Sequence, residues 1–369
     1  MTTNLSRVFW ALFFAAAAVH TLHAAPRVTD VTVSVADDRS TYSIVWTTEP
    51  AGAPVTIAVT ESADGSGARK IAENAVDGRY QWHSIDSDKR HYFSLTPMAG
   101  EPVMAASRVL PLEGGRNFRD LGGYHTADGK RVKWGHVFRS GVMDGLTDAD
   151  YDYLSSLGIR TICDFRAADE RKSEPTDWRA GTIDYLTFPD PPEEEEGSGL
   201  LDALRKEGVT PEEVAQGMAA GYVGIAYQHA PAYREMFDRL AGGEIPLTFN
   251  CSAGKDRTGI AAALLLTVLG VPHSTIVSDY ALSDDIVDYM AAFMSDDARA
   301  KAAERDSPYA FLMAMPPELV EPLMRSDEQY IESALTALAD KHGSVMSFIQ
   351  DDLDVTDAEI EAIRTALLF

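Results

Sequence analysis

Residues 249–259 read Phe-Asn-Cys-Ser-Ala-Gly-Lys-Asp-Arg-Thr-Gly, and the runs on either side decide how they fold. Ile245 to Phe249 is a short apolar run, and Gly259 to Leu269 is a longer one. Length separates the two: the first is predicted as a buried strand and the second as a buried helix. A loop between a strand end and a helix start offers unpaired backbone N–H groups to an anion. Working outward, Ile159–Phe165 and Tyr185–Phe188 read as two further buried strands. Thr147 caps an apolar helix that runs through Leu154 and Leu157 and ends at Gly158. Strands alternating with helices predict an α/β domain with a mostly parallel sheet over residues 111–369. Between Pro191 and Gly243 lie an acidic run (Glu193 to Glu196), a Gly-Ser-Gly break and two helical patterns.

Upstream, residues 26–110 keep a period of two. Val31, Val33 and Val35 alternate with polar residues, as do Tyr42, Ile44 and Trp46, and Val55, Ile57 and Val59. Turn clusters between these runs predict a small all-β sandwich, similar to a fibronectin type III module. No catalytic cluster is visible in it, so it is expected to act as a spacer or brace whose own partner is unknown. Residues 1–25 have the layout of a secretory signal: Arg7, an apolar run from Val8 to Val19, and Ala24–Ala25. Export to the periplasm or medium is expected, with no stable membrane insertion after cleavage.

The 369 residues include 57 acidic and 32 basic side chains, a formal charge of −25. That argues against a nucleic-acid partner, which needs a basic footprint. Two cysteines, Cys163 and Cys251, exclude a disulfide scaffold and a Cys-based zinc site, and the nine histidines include no pair at zinc-ligand spacing. The acid is concentrated: residues 26–110 carry 8 basic and 11 acidic groups, whereas residues 111–369 carry 23 and 46.

Cys251 and Arg257 are six residues apart within the anion loop. Thiols at helix N-termini beside Arg ionise readily, so Cys251 is expected to act as a nucleophile. The N–H groups of Ser252, Ala253, Gly254, Lys255, Asp256, Arg257 and Thr258 would ring three phosphoryl oxygens, with the Arg257 fork holding two of them. Gly254 allows close approach of backbone, and Thr258 places a hydroxyl beside the thiol. Lys255 is expected to neutralise a second phosphate or to pair with Asp256. Cys163, inside an apolar strand, is a buried thiol by default; the alternative is a reversible bridge to Cys251.

This constellation resembles the signature of cysteine-dependent protein tyrosine phosphatases, and Lys255-Asp256-Arg257 that of their atypical bacterial branch. GRNFRDLGGY at 115–124, VFRSG at 137–141, CDFRAADE at 163–170, YLTFPD at 185–190 and DYALS at 279–283 are similar to further motifs of that family. The resemblance implies a phosphocysteine mechanism without metal or organic cofactor, and a helical lid over residues 191–235. Asp190 matches the family's general-acid position, and Asp256 is the alternative donor. Arg116, Arg119, Arg139 and Arg166 are expected to tie the domain together through Asp120, Asp164 and Glu170. One residue departs from the pattern: Asn250 stands where the family usually has His. Phosphotyrosine proteins are the implied substrates, with phosphoserine/threonine and phosphoinositides beside them. A phytase-like inositol polyphosphate phosphatase and a weak phosphate-binding protein remain as alternatives.

Overall fold

The computed structural model describes residues 25–190, 204, 208–296, 298, 300, 304 and 310–369. The predicted signal segment up to residue 24, the Glu193–Glu196 run and most of the first part of the expected lid lie outside the described residues.

The period-two region forms seven strands: β1 (Arg27–Val35), β2 (Thr41–Glu49), β3 (Val55–Thr60), β4 (Arg69–Ala75), β5 (Arg79–His83), β6 (Tyr92–Pro97) and β7 (Val103–Ala106). They make a three-stranded sheet β1-β2-β5 and a four-stranded sheet β4-β3-β6-β7, every pair antiparallel. The alternating residues face one another between the sheets: Val33, Tyr42, Ile44, Trp46, Val55, Ile57, Val59, Phe93 and Leu95 are all buried. Side chains of period two fill one face of each sheet, and that shared face is the core.

The third sheet, that of the second domain, has the order β11-β10-β12-β9-β8, built from β8 (Arg119–Asp120), β9 (Val137–Ser140), β10 (Thr161–Asp164), β11 (Asp184–Thr187) and β12 (Leu247–Asn250). β11, β10, β12 and β9 run parallel, and β8 closes the edge antiparallel to β9. Parallel strands carry helices on both faces and are buried throughout, as β9, β10 and β12 are. One face packs on α1 (Asp148–Ser155), through Phe138, Leu154 and Ile162. The other packs on α3 (Pro211–Gln228), α4 (Ala230–Ala241), α5 (Asp256–Val268), α6 (His273–Ile286) and helices nearer the C-terminus. A short helix α2 (Ala168–Ser173) follows β10. α5 begins three residues before the predicted Gly259, which brings Asp256 and Arg257 into its first turn.

The second half of the expected lid, from Pro211 on, is helical, and α3 and α4 pack into the domain's core: Tyr222, Ala226 and Tyr233 are fully buried.

The sandwich is clamped to the second domain by two buried arginines. Arg39 donates to the carbonyls of Pro111 (2.9 Å) and Ala149 (2.6 Å) and pairs with the buried Asp150 carboxylate. Arg90 pairs with Asp120 in β8 at 2.8 Å and donates to Ser107 O at 3.0 Å. Asp120 also accepts the N–H groups of Gly122 and Gly135, both at 2.7 Å. Breaking a buried ion pair strands its remaining charge. Arg90→Met is therefore expected to cost about 3 kcal/mol in urea denaturation, with Asp120's two amide donors keeping the loss at the low end. Adding Asp120→Asn should recover part of that loss.

Candidate active site

The loop from Cys251 to Lys255 leaves the end of the fully buried β12 and enters α5, which is buried from Thr258 to Leu266. Cys251 is 1% exposed, and Ser252, Lys255 and Thr258 are buried with it. Gly254 has φ +72°, and a Cβ there would sit 2.4 Å from the Gly141 nitrogen. Only glycine satisfies both conditions. At Gly259 a Cβ would meet the Tyr280 ring at 2.7 Å. Among the described residues the Thr258 hydroxyl has no hydrogen-bond partner.

A web of buried charge holds the loop. Arg139 donates to Gly254 O at 3.0 Å and to Asp279 Oδ2 at 2.6 Å. Arg119 donates to Asp279 O at 2.7 Å, lies 3.4 Å from Asp279 Oδ1, and also bonds the Asn117 side chain. Asn117 in turn donates to Gly254 O at 2.8 Å. Burial opposes ionisation of Asp279, but Arg119 and Arg139 overcome it and hold its carboxyl well below the usual range. The motif arginines thus act as ties, though through other partners than predicted. Arg119 and Arg139 share Asp279, Asp120 serves Arg90 of the sandwich, and only Arg166 keeps its expected Asp164 at 2.7 Å. Arg116 donates to Ser252 O at 3.2 Å.

Glu170 belongs to the site itself. Its two oxygens take Arg257 Nη1 and Nη2 at 2.6 and 2.7 Å. Ser252 Oγ donates to the same carboxylate, as does Ala167 N–H at 2.7 Å. Lys255 Nζ donates to Leu323 O (3.0 Å) and Arg325 O (2.9 Å) and pairs with Asp256 Oδ1 at 2.8 Å. Asn250, in the usual His position, donates to Asp164 Oδ1 at 3.2 Å. A cavity of about 220 Å³ opens over the loop. Ser252, Ala253, Lys255, Asp256 and Arg257 form its floor, and Met218, Tyr289, Phe293, Leu312, Leu323 and Met324 supply apolar walls. Asp190 is placed differently: it is exposed, and its Oδ1 accepts Ala168 N–H at 2.8 Å at the start of α2. Among the described residues no three His, Cys, Asp or Glu side chains gather where they would hold a metal ion.

The bridge between Cys163 and Cys251 is corrected. Cys163 pairs in register with Phe249, two residues short of Cys251. Strand spacing and rise put the two cysteine Cα atoms about 8 Å apart, beyond disulfide reach. Burial pushes the Cys163 thiol well up, so it stays protonated.

Sequence reasoning met Asp279 only as part of the DYALS motif, without its role, and missed Tyr222, Tyr289 and His229. Burial, and then the Arg257 guanidinium, push the His229 imidazole down to about 4. A His with a folded value below its unfolded value of about 6.5 takes up its proton preferentially when unfolded. The stability it lends is present above pH 6.5 and is lost as pH falls toward 4. The loss amounts to about 3 kcal/mol. Urea unfolding of wild type against His229→Gln across this range is expected to show the variant with the shallower pH dependence.

Comparison with known proteins gives the same picture from another direction. Residues 110–369 match the tyrosine phosphatase family. A Cupriavidus necator protein named as a tyrosine-protein phosphatase is 31% identical over 252 residues, covering 66% of this chain and 84% of its own. The triple specificity protein phosphatase PtpB of Mycobacterium tuberculosis is 27% identical over 280 residues, covering 70% and 99%. A tyrosine-protein phosphatase of Nostoc commune is 34% identical over 147 residues, covering 39% and 47%. The sandwich aligns with a Fn3-like protein from Clostridium thermocellum at 16% identity and a TM-score of 0.19, over 23% of this chain and 88% of that one. With its motif residues gathered round one anion loop and the match spanning the whole second domain, the chain belongs to the tyrosine phosphatase family, enzymes that hydrolyse phosphotyrosine.

Proposed function

We propose that the chain hydrolyses phosphotyrosine in proteins through a phosphocysteine intermediate, with Asp256 as the proton donor. The observation that carries this reading is the floor of the cavity, where Asp256 and Arg257 line the same space as Ser252 and Ala253, next to Cys251. Cys251 sulfur attacks phosphorus while the bond from phosphorus to the tyrosine oxygen breaks. The Asp256 proton passes to that departing oxygen. Water then attacks phosphorus, returns a proton to Asp256 and releases Cys251 and inorganic phosphate. Loop N–H groups and Arg257, oriented by Glu170, bind the equatorial oxygens as charge spreads over them. Asp190, the first expectation for the donor, is the alternative, and its bond to Ala168 N–H supports a role in capping α2 instead.

The apolar walls suit an aromatic ring better than a polyol. An inositol polyphosphate needs several basic side chains, and Lys255 is already engaged by two carbonyls and Asp256. Phosphotyrosine is therefore favoured over phytate and phosphoinositides. Export rests on the sequence of residues 1–25 alone.

Cys251→Ser is expected to lower turnover of a phosphotyrosine peptide by about 10⁴-fold or more; undiminished turnover would refute the covalent route. The domain bearing the site has 23 basic and 46 acidic residues, so its long-range field opposes an anionic substrate. kcat/KM for an acidic phosphopeptide is expected to rise with modest salt as this repulsion is screened, measured at constant pH between low and physiological ionic strength.

A further inference from the structure

Behind the carboxylate of Asp256, on the side away from the cavity, stands Tyr222. It is fully buried, does not line the cavity, and its hydroxyl is hydrogen-bonded to Asp256 Oδ1. Lys255 Nζ reaches the same oxygen at 2.8 Å. The Asp256 side chain is 28% exposed and lines the cavity. Its Oδ1 is thus held by the buried phenol and lies beside the Lys255 ammonium, while the residue itself borders the substrate space.

From this contact we infer that Tyr222 is a positioning residue for proton delivery, holding the Asp256 carboxyl by Oδ1 at the edge of the cavity. An oxygen that already accepts from a phenol and lies 2.8 Å from an ammonium is a poor place for a further proton. The acidic hydrogen is thereby directed to the other oxygen of the same carboxyl. The inference rests on the assignment of Asp256 as donor and deepens it.

Three features fix the phenol. Its ring packs edge-on against Tyr280, with centroids 5.8 Å apart and planes at 88°, and tilted against Tyr330 at 5.5 Å. Its oxygen also lies against the Tyr280 hydroxyl. A phenol has one hydrogen, so when Tyr222 donates to Asp256 the Tyr280 hydroxyl must donate to Tyr222. The chain of donors then runs in one direction, from Tyr280 to Tyr222 to Asp256. Burial, and then the charge of Asp256, push the Tyr222 phenol far above its ordinary value, so it keeps its hydrogen throughout the working pH range. Finally, α3, which carries Tyr222, is fixed at its start by a reciprocal cap between Thr210 and Glu213.

A proton donor matters in proportion to how badly the leaving group needs one. Phenyl phosphate expels a poor leaving group and 4-nitrophenyl phosphate a good one, so the ratio of their kcat/KM values, which stop at departure of the leaving group, reports protonation of the departing oxygen. Tyr222→Phe deletes one hydroxyl and preserves the ring. It is expected to lower kcat/KM for phenyl phosphate about 10-fold while changing kcat/KM for 4-nitrophenyl phosphate less than about twofold. Asp256→Asn should show the same selectivity more strongly. A merely structural role for Tyr222 lowers both substrates together, and that result overturns the inference. Selectivity in Asp256→Asn with none in Tyr222→Phe also overturns it and leaves the donor assignment standing. No selectivity in Asp256→Asn removes the donor assignment itself. Should Tyr222→Phe fail to fold, Tyr280→Phe takes its place: it removes the hydroxyl that donates to Tyr222 without touching Asp256. It should shift the ratio in the same direction by a smaller factor, and an unchanged ratio in a folded Tyr280→Phe counts against the inference.

Discussion

One carboxylate, Asp279, is buried between two arginines. Arg119 and Arg139 keep it ionised there, and the Tyr124 hydroxyl donates to it at 2.8 Å. Taken singly, each of these groups would be costly to bury; together they lower one another's cost. The arrangement has a geometric product. Arg139 spends another of its hydrogens on Gly254 O, and Arg119 holds the Asn117 side chain that binds the same carbonyl. The middle of the anion loop is thus pinned from beneath. A loop that is to present its N–H groups upward must have its carbonyls satisfied downward. Asp279 is the group on which that division depends.

Glu170 performs a matching service on the other side. It takes the N–H of Ala167, the hydroxyl of Ser252 and the fork of Arg257, so a single carboxylate joins α2 to both ends of the loop. Lys255, which lies between, is held by the carbonyls of Leu323 and Arg325. The loop is therefore tied at its centre, at its arginine and at its lysine, by three separate parts of the chain. This preorganisation is what electrostatic stabilisation of a transition state requires, since the dipoles need not reorient during the reaction.

The nucleophile, the arginine and the strand–loop–helix around them were legible because their signal is local: a short apolar run, a glycine-bearing loop and a long apolar run in immediate succession. The sandwich was legible for the same reason, through period two. What escaped depends on residues distant in sequence. β8 and β9 are short strands that contain Arg119 and Arg139, and nothing in a window of four residues marks an arginine as buried. The aspartate of DYALS was noticed as part of a motif, but that it pairs with two arginines 140 and 160 residues upstream is visible only in three dimensions. Glu170 was assigned to structural arginines and belongs to the reactive one. Asp190 follows a strand and matches the family's acid position, yet among the described residues it is Asp256, inside the loop, whose carboxylate lines the cavity. The lid over residues 191–235 was implied by the family resemblance, and the sequence alone does not reveal that Tyr222 and Tyr233 of its second half are buried.

In β8 the alternation of a strand sends neighbouring side chains opposite ways. Asp120 turns to Arg90 in the sandwich, and Arg119 turns to Asp279 beneath the loop. A strand of two residues has too little hydrogen bonding of its own to hold its place independently of what grips its side chains. Family similarity begins at residue 110, yet the contacts made by β8 reach across that boundary. Two residues joined by one peptide bond grip the sandwich on one side and the support of the anion loop on the other.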